Sequence, residues 1–213
     1  MIEVISHRGL WKKLEEQNTI EAFYDSLEAG FGIETDIRDN CGDLVISHDI
    51  PTQTNNILTV DDFFNLYQKY GKNQTLALNI KSDGLSKLLK QKLDTFEINN
   101  YFVFDMSIPD TLSYQKESLN FFSRQSEYEM TPALYDKCSG VWIDSFHSAW
   151  VKEGVIIKHS ENRKNICIVS PELHKRSHLA DWKKYKDISN NNSELTFIIC
   201  TDFPVEARSF FEE

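Results

Sequence analysis

Short apolar runs alternate with amphipathic segments along the whole chain, and this alternation constrains the fold more than any other feature. The runs cover residues 3–6, 32–38, 75–80, 101–105, 120–123, 140–144, 165–169 and 195–200. Each is rich in Val, Ile, Phe or Tyr, side chains that suit a pleated, buried strand. Between them the pattern predicts helices over 19–29, 59–70, 82–96, 109–117, 148–159, 174–186 and 205–211. The first has a candidate cap near Asn18. The second opens Thr59-Val60-Asp61-Asp62, a capping box with Asp in place of Glu. A short extra strand is expected at 43–47. Strands that alternate with helices pair in parallel, with helices covering the sheet. Eight strands with intervening helices in 213 residues predict a single (β/α)8 TIM barrel over residues 1–213. An open doubly wound sheet is the alternative. No break in composition and no repeat of solenoid period marks a second domain.

The balance of charges bears on partners. Thirty-three acidic residues against 23 basic ones give a formal charge of −10. Such a chain repels nucleic acid and anionic membrane surfaces unless a basic patch is concentrated somewhere. Lys12-Lys13 and Lys183-Lys184 are too short for that and read as solvated surface. No apolar stretch approaches the length of a bilayer span, so no membrane insertion is expected. Met1 leads almost directly into Val4-Ile5 without a leader-like pattern, which points to a cytoplasmic protein. Cys41, Cys138, Cys167 and Cys200 lack the paired short spacing of a zinc site. Cys167 and Cys200 lie inside apolar runs and read as buried small hydrophobes.

Barrel chemistry is built at the carboxyl ends of the strands. Those ends carry His7-Arg8-Gly9, Glu34-Thr35-Asp36, His48-Asp49, Asn79-Ile80-Lys81, Arg124, Trp142-Ile143-Asp144, Glu172 and Thr201-Asp202. Residues i and i+2 of a strand share a face, so Glu34 and Asp36 point together, as do Asn79 and Lys81. Charges on one face of apolar strands are costly unless they are paired or bind something. Two carboxylates and an amide oxygen make a hard-oxygen site for Mg²⁺ or Ca²⁺. Internal salt bridges from Glu34 and Asp36 to Arg38 or Lys81 are the other reading, and the residues alone leave both open.

The ordered set His7-Arg8-Gly9, Asn18-Thr19 with Ala22-Phe23, Ala29-Gly30, Glu34-x-Asp36 and His48-Asp49 resembles the opening signature of the glycerophosphodiester phosphodiesterase family. Leu78-Asn79-Ile80-Lys81 resembles its third-strand motif, and Thr201-Asp202-Phe203-Pro204 its closing motif. The resemblance is specific over roughly the first quarter of the chain and is one of architecture in the middle. It implies a barrel, hydrolysis of a phosphodiester to a phosphomonoester and an alcohol, and a divalent metal, Mg²⁺ or Ca²⁺. It makes His7 and His48 the acid–base pair, in keeping with imidazole titration near neutral pH. It makes Glu34, Asp36 and Asn79 the metal ligands. Arg8 and Lys81 are then the groups for the substrate phosphate. One departure stands out. The family carries a glutamate where this chain has Asn79, so the site has two protein carboxylates instead of three.

Arg124, Trp142, Asp144, Glu172 and His174 are candidate pocket residues, and Arg124 is also a candidate partner of Glu127. His147, His159 and His178 fall on predicted helices and read as surface residues. Only ten residues separate His48 from the helix at Thr59, so a large lid is not expected there. The mouth is expected to be built from loops at 123–131 and 170–177. The substrate class implied is a small soluble diester with a glycerol-like arm. Alternatives are a cyclising phosphodiesterase, a hydrolase of nucleotide- or polysaccharide-linked diesters and, in another class, a non-catalytic phosphate-binding domain. Oligomeric state cannot be read from the residues.

Overall fold

A computed structural model describes residues 1–52 and 57–213. Part of the segment at 49–58, where a large lid is not expected, therefore lies outside the described residues. The chain divides into two compact units, Ser6–Phe121 and Met1–Ile5 with Phe122–Glu213.

In the first unit, strand β1 (Ile2–His7, which begins in the other unit) leads into helix α1 (Ile20–Glu28). Then come β2 (Gly32–Asn40), β3 (Asp43–Ile46), α2 (Val60–Tyr70), β4 (Leu76–Ile80), α3 (Ser86–Thr95), β5 (Tyr101–Phe104) and α4 (Ile108–Lys116). The strands follow the order β5-β4-β2-β1. β2 pairs in parallel with β4, and β4 with β5. The register sets Glu34 opposite Ala77 and Asp36 opposite Asn79. β3 is the expected extra strand and runs antiparallel to β2, with Ile37 opposite Ile46. α1 buries Ala22, Phe23 and Leu27, and Phe23 packs on Phe63 of α2 at 4.6 Å between ring centroids. The capping box of α2 forms as read: Asp62 N–H donates to Thr59 Oγ1 (3.1 Å), and Thr59 N–H donates to Asp62 Oδ2 (3.2 Å). α1 is capped by Thr19, one residue past the expected Asn18.

The second unit contains β6 (Phe122–Gln125), β7 (Gly140–Ile143), α5 (Glu153–Glu161), β8 (Asn165–Val169), α6 (Leu179–Asn191), β9 (Phe197–Thr201) and α7 (Pro204–Glu212). Its strands pair in parallel in the order β9-β8-β7-β6. Val141, Ile143, Ile156, Ile166, Ile168, Tyr185 and Ile199 form its buried core.

Three predicted helices begin too early, each for a visible reason. α3 starts at Ser86 rather than 82, because Ser82 hydroxyl bonds Asp39 Oδ1 (2.6 Å) and Gly84 turns with φ 87°. α5 starts at Glu153 rather than 148. Glu127 takes the backbone N–H groups of Phe146, His147 and Ser148, each at 3.0 Å, and holds that stretch as a loop. α6 starts at Leu179 rather than 174, since a 3-10 turn occupies Pro171–His174 and Lys175 has φ 58°. The surface reading of His159 is corrected: it is buried at 3% exposure. Its Nδ1 meets Tyr135 Oη and its Nε2 meets Gln125 Oε1, both at 2.8 Å. Burial, then nearby Lys158, pushes this imidazole down to about 4. His147 is exposed, whereas the surface reading of His178 is corrected: it stands at the start of α6 with its side chain 16% exposed and its ring 4.2 Å from that of Trp182.

Candidate functional site

The site is assembled in the first unit, from three strand ends and one turn. β1 ends at His7, and the chain then reverses through Arg8 (φ 60°) and Gly9 (φ 90°). A Cβ at Gly9 would lie 2.8 Å from the Ala22 carbonyl carbon, so only glycine lets this turn approach α1 so closely. Arg8 N–H donates to Glu34 O (2.8 Å), which fixes the turn against β2.

Around that anchor the charged groups meet. His7 Nε2 lies 3.7 Å from Glu34 Oε2. Arg8 Nε lies 2.9 Å from Asp36 Oδ2, and its Nη1 donates to Gln17 Oε1 (3.2 Å). Lys81 Nζ lies 3.2 Å from Asp36 Oδ1. Asn79 Nδ2 donates to Glu34 Oε1 (3.3 Å). Glu34 and Asp36 are both fully buried. Sequence reasoning thus brought together His7, Arg8, Glu34, Asp36, Asn79 and Lys81, and the structure does so too. Of the two salt-bridge partners considered for the carboxylates, Lys81 is the one engaged, while Arg38 Nη2 donates to His48 O (3.2 Å). His48 follows β3, is half-exposed, and holds Asp49 Oδ1 at 2.8 Å from its Nδ1.

Asn18 was read as a cap and a signature residue, not as part of the charged cluster. It has φ 58°. Its amide donates to Asp36 Oδ2 (2.9 Å), and its carbonyl accepts from Thr35 Oγ1 (2.8 Å). An asparagine next to a helix cap tolerates the left-handed backbone, which was the available signal.

Two buried carboxylates so placed titrate apart. Burial, then the charge on Asp36, raises Glu34 above its ordinary value, against the pull of His7, Arg8 and Lys81. Burial also presses Asp36 upward. Lys81, Arg8, the Asn18 hydrogen bond and His48 outweigh it and hold Asp36 below its ordinary value.

Does this set fit a divalent cation? Glu34 Oε2, Asp36 Oδ1 and Asn79 Oδ1 are buried and accept no hydrogen bond, so oxygen donors are present. The charges do not fit. Asp36 already faces a guanidinium on one oxygen and an ammonium on the other. Asn79 is neutral and adds no charge to the set. A dication could bind to Asp36 Oδ1 only by displacing Lys81.

The other candidates lie in the second unit and make local contacts there. His174 Nε2 meets Asp144 Oδ1 (2.5 Å), and Ser145 N–H donates to the same oxygen (2.9 Å). Glu172 accepts from the hydroxyls of Ser170 and Thr201 and from Asp202 N–H. Arg124 pairs with Glu129. Trp142 is buried in β7.

No family model matches the sequence, and no curated protein is similar to it in sequence. Solved structures are. A glycerophosphodiester phosphodiesterase from Agrobacterium tumefaciens has 15% identity and a TM-score of 0.67, with 99% of each chain covered. An Oleispira antarctica phosphodiesterase in complex with the product sn-glycerol-3-phosphate has 13% identity and a TM-score of 0.67, covering 99% of this chain and 97% of that one. A Ca²⁺-dependent phosphatidylinositol-specific phospholipase C from Streptomyces antibioticus has 8% identity and a TM-score of 0.56, covering 99% and 96%. At these identities the likeness gives the fold, and the fold is the (β/α)8 barrel expected from the alternation of elements.

Proposed function

We propose that the chain hydrolyses a small phosphodiester of the glycerophosphodiester kind to a phosphomonoester and an alcohol, with residues 1–213 acting as one catalytic domain. One observation carries this reading: His7, two cations and a buried carboxylate pair gather at strand ends, in a fold shared with named phosphodiesterases. The bound product named for one of those neighbours is itself a phosphomonoester.

A diester anion needs charge compensation, a proton acceptor for the attacking water and a proton donor for the leaving alkoxide. In this reading water attacks phosphorus as one histidine takes its proton. The bond from phosphorus to the alcohol oxygen breaks, and the other histidine protonates that oxygen. Glu34, 3.7 Å from His7 Nε2, stabilises the imidazolium form of His7. The guanidinium of Arg8, held by Asp36 and Gln17, is pre-oriented for an anionic oxygen. The expected Mg²⁺ or Ca²⁺ takes no step here, because the residues present do not fit it. Among the described residues no helix is long and apolar enough to cross a membrane, in keeping with a small-molecule substrate.

A panel of glycerophosphodiesters, nucleotide-linked diesters and phosphatidylinositol head-group diesters, assayed for monoester release, tests the proposal. Release from a glycerol-type diester is expected. A cyclic phosphate product would favour the cyclising mechanism. Binding of every diester without turnover would leave a phosphate-binding domain in place of an enzyme.

A further inference from the structure

We infer that Lys81 is the resident cation of this site: its ammonium occupies the coordination that a divalent metal would need at Asp36, and the site takes its phosphodiester without Mg²⁺ or Ca²⁺. The activity arm of this inference rests on the proposed hydrolysis, whereas the metal-binding arm stands by itself.

Position comes first. Lys81 follows the last residue of β4, and its backbone N–H donates to Ile37 O (2.9 Å), so it is tied to β2. It stands two residues beyond Asn79 and so projects from the same face of the strand. Its Nζ lies 3.2 Å from Asp36 Oδ1, with the side chain 18% exposed and that of Asp36 fully covered. Arg8 Nε lies 2.9 Å from Asp36 Oδ2. One buried carboxylate therefore presents each of its oxygens to a permanent cation.

Charge comes second. Glu34 and Asp36 contribute −2 when ionised, and Arg8 and Lys81 contribute +2, so with His7 neutral the cluster balances as it stands. Burial makes an unbalanced charge expensive. A dication would bring the same cluster to +2, with the ammonium of Lys81 still beside it. The ligand count agrees. With Asp36 Oδ1 facing Lys81, the buried oxygens without a hydrogen bond that remain are Glu34 Oε2 and Asn79 Oδ1. A neutral amide and one carboxylate are a weak set for a hard cation.

The ledger also says what would create a metal site. Lys81→Glu gives three carboxylates against Arg8 alone, a net −2 that a single dication cancels. Mg²⁺ and Ca²⁺ are titrated by calorimetry into the whole protein, into Lys81→Glu and into Lys81→Gln. Thermal melts are run with and without cation, and monoester release is measured in excess chelator. The unaltered protein should show no cation binding at millimolar concentration and a turnover in chelator within about twofold of that in Mg²⁺. Lys81→Glu should bind the cation, melt higher in its presence and lose at least about tenfold in turnover when chelated. If Lys81→Glu fails to fold, Lys81→Gln carries the test, since freeing Asp36 should by itself introduce a cation-dependent rise in melting temperature. Stoichiometric binding of either cation to the unaltered protein, or a loss of turnover beyond tenfold on chelation, overturns the inference. If no diester is turned over under any condition, the proposed hydrolysis falls while calorimetry still decides the role of Lys81.

Discussion

The strand ends of the two units treat buried polar groups in opposite ways. In the second unit the buried side chains at the strand ends described above are satisfied locally, while His178 Nε2, at the start of α6, has no hydrogen-bond partner. Glu172 fills its oxygens from Ser170, Thr201 and the Asp202 backbone, and His159 has a partner on each ring nitrogen. In the first unit Glu34 Oε2, Asp36 Oδ1 and Asn79 Oδ1 are buried and accept no hydrogen bond, with His7 beside the first and Lys81 beside the second. A protein interior rarely leaves such acceptors unmet, because each costs the desolvation of a polar atom. Buried histidine alone therefore does not mark a site. His159 and His7 are both largely covered, and they differ in what surrounds them: a closed network in one case, an unfinished one in the other.

This contrast can be broken most sharply by removing the histidines. His7→Ala or His48→Ala should lower turnover by about 10²–10⁴-fold, the usual contribution of a general acid or base. His159→Ala should leave turnover near that of the parent. Comparable turnover losses in all three would erase the distinction between the units.

The ion cluster gives the next effect. Arg8→Met leaves Asp36 buried with Lys81 as its remaining cation, and stripping one partner from a buried pair costs about 3–5 kcal/mol. Urea denaturation should register that loss near neutral pH. Because Asp36 is held below its ordinary value, the stabilisation is present above the unfolded carboxyl pKa. It is lost as pH falls through the folded value, so the gap between Arg8→Met and parent should narrow in acid. A gap that is independent of pH would assign the loss to packing.

The third effect is smaller and belongs to the second unit. His159 stays neutral down to about 4 in the folded chain, whereas the unfolded chain takes up its proton near the ordinary imidazole value of 6.5. Between those values the unfolded state binds more protons, so stability falls as pH drops from 6.5 towards 4. His159→Gln should flatten this slope and lose about 1–3 kcal/mol through the unmet Tyr135 and Gln125 groups. An unchanged slope in thermal melts across that window would locate the titration elsewhere.

Much of this could be read in the sequence. Apolar strand runs are local signals, so each predicted strand overlaps an observed one, and the i, i+2 rule put Glu34 with Asp36 and Asn79 with Lys81. What escaped depends on groups distant along the chain. Glu127 holds the backbone at 146–148 out of a helix, and His159 is held in the interior by Tyr135 and Gln125. The strand expected at 120–123 is observed at Phe122–Gln125, with Phe121 joined to Val103 by an isolated parallel bridge. The choice of Lys81 over Arg38 at Asp36 follows from the pairing of Asp36 with Asn79, which a single strand's pattern does not contain.

The antiparallel strand β3 has a further consequence for how this scaffold changes. Ile46 N–H donates to Leu58 O (2.8 Å), and Val45 bridges Thr59, so the stretch after His48 leaves and returns through one stem. Chain added between two tied ends pays only for its own closure, about 0.6 kcal/mol per doubling of length. Extra residues can therefore be spliced in beyond Asp49 while Arg38 still grips the backbone of His48. Under the proposed hydrolysis, inserts at that stem would alter which diester is accepted while the backbone contact at His48 stays in place.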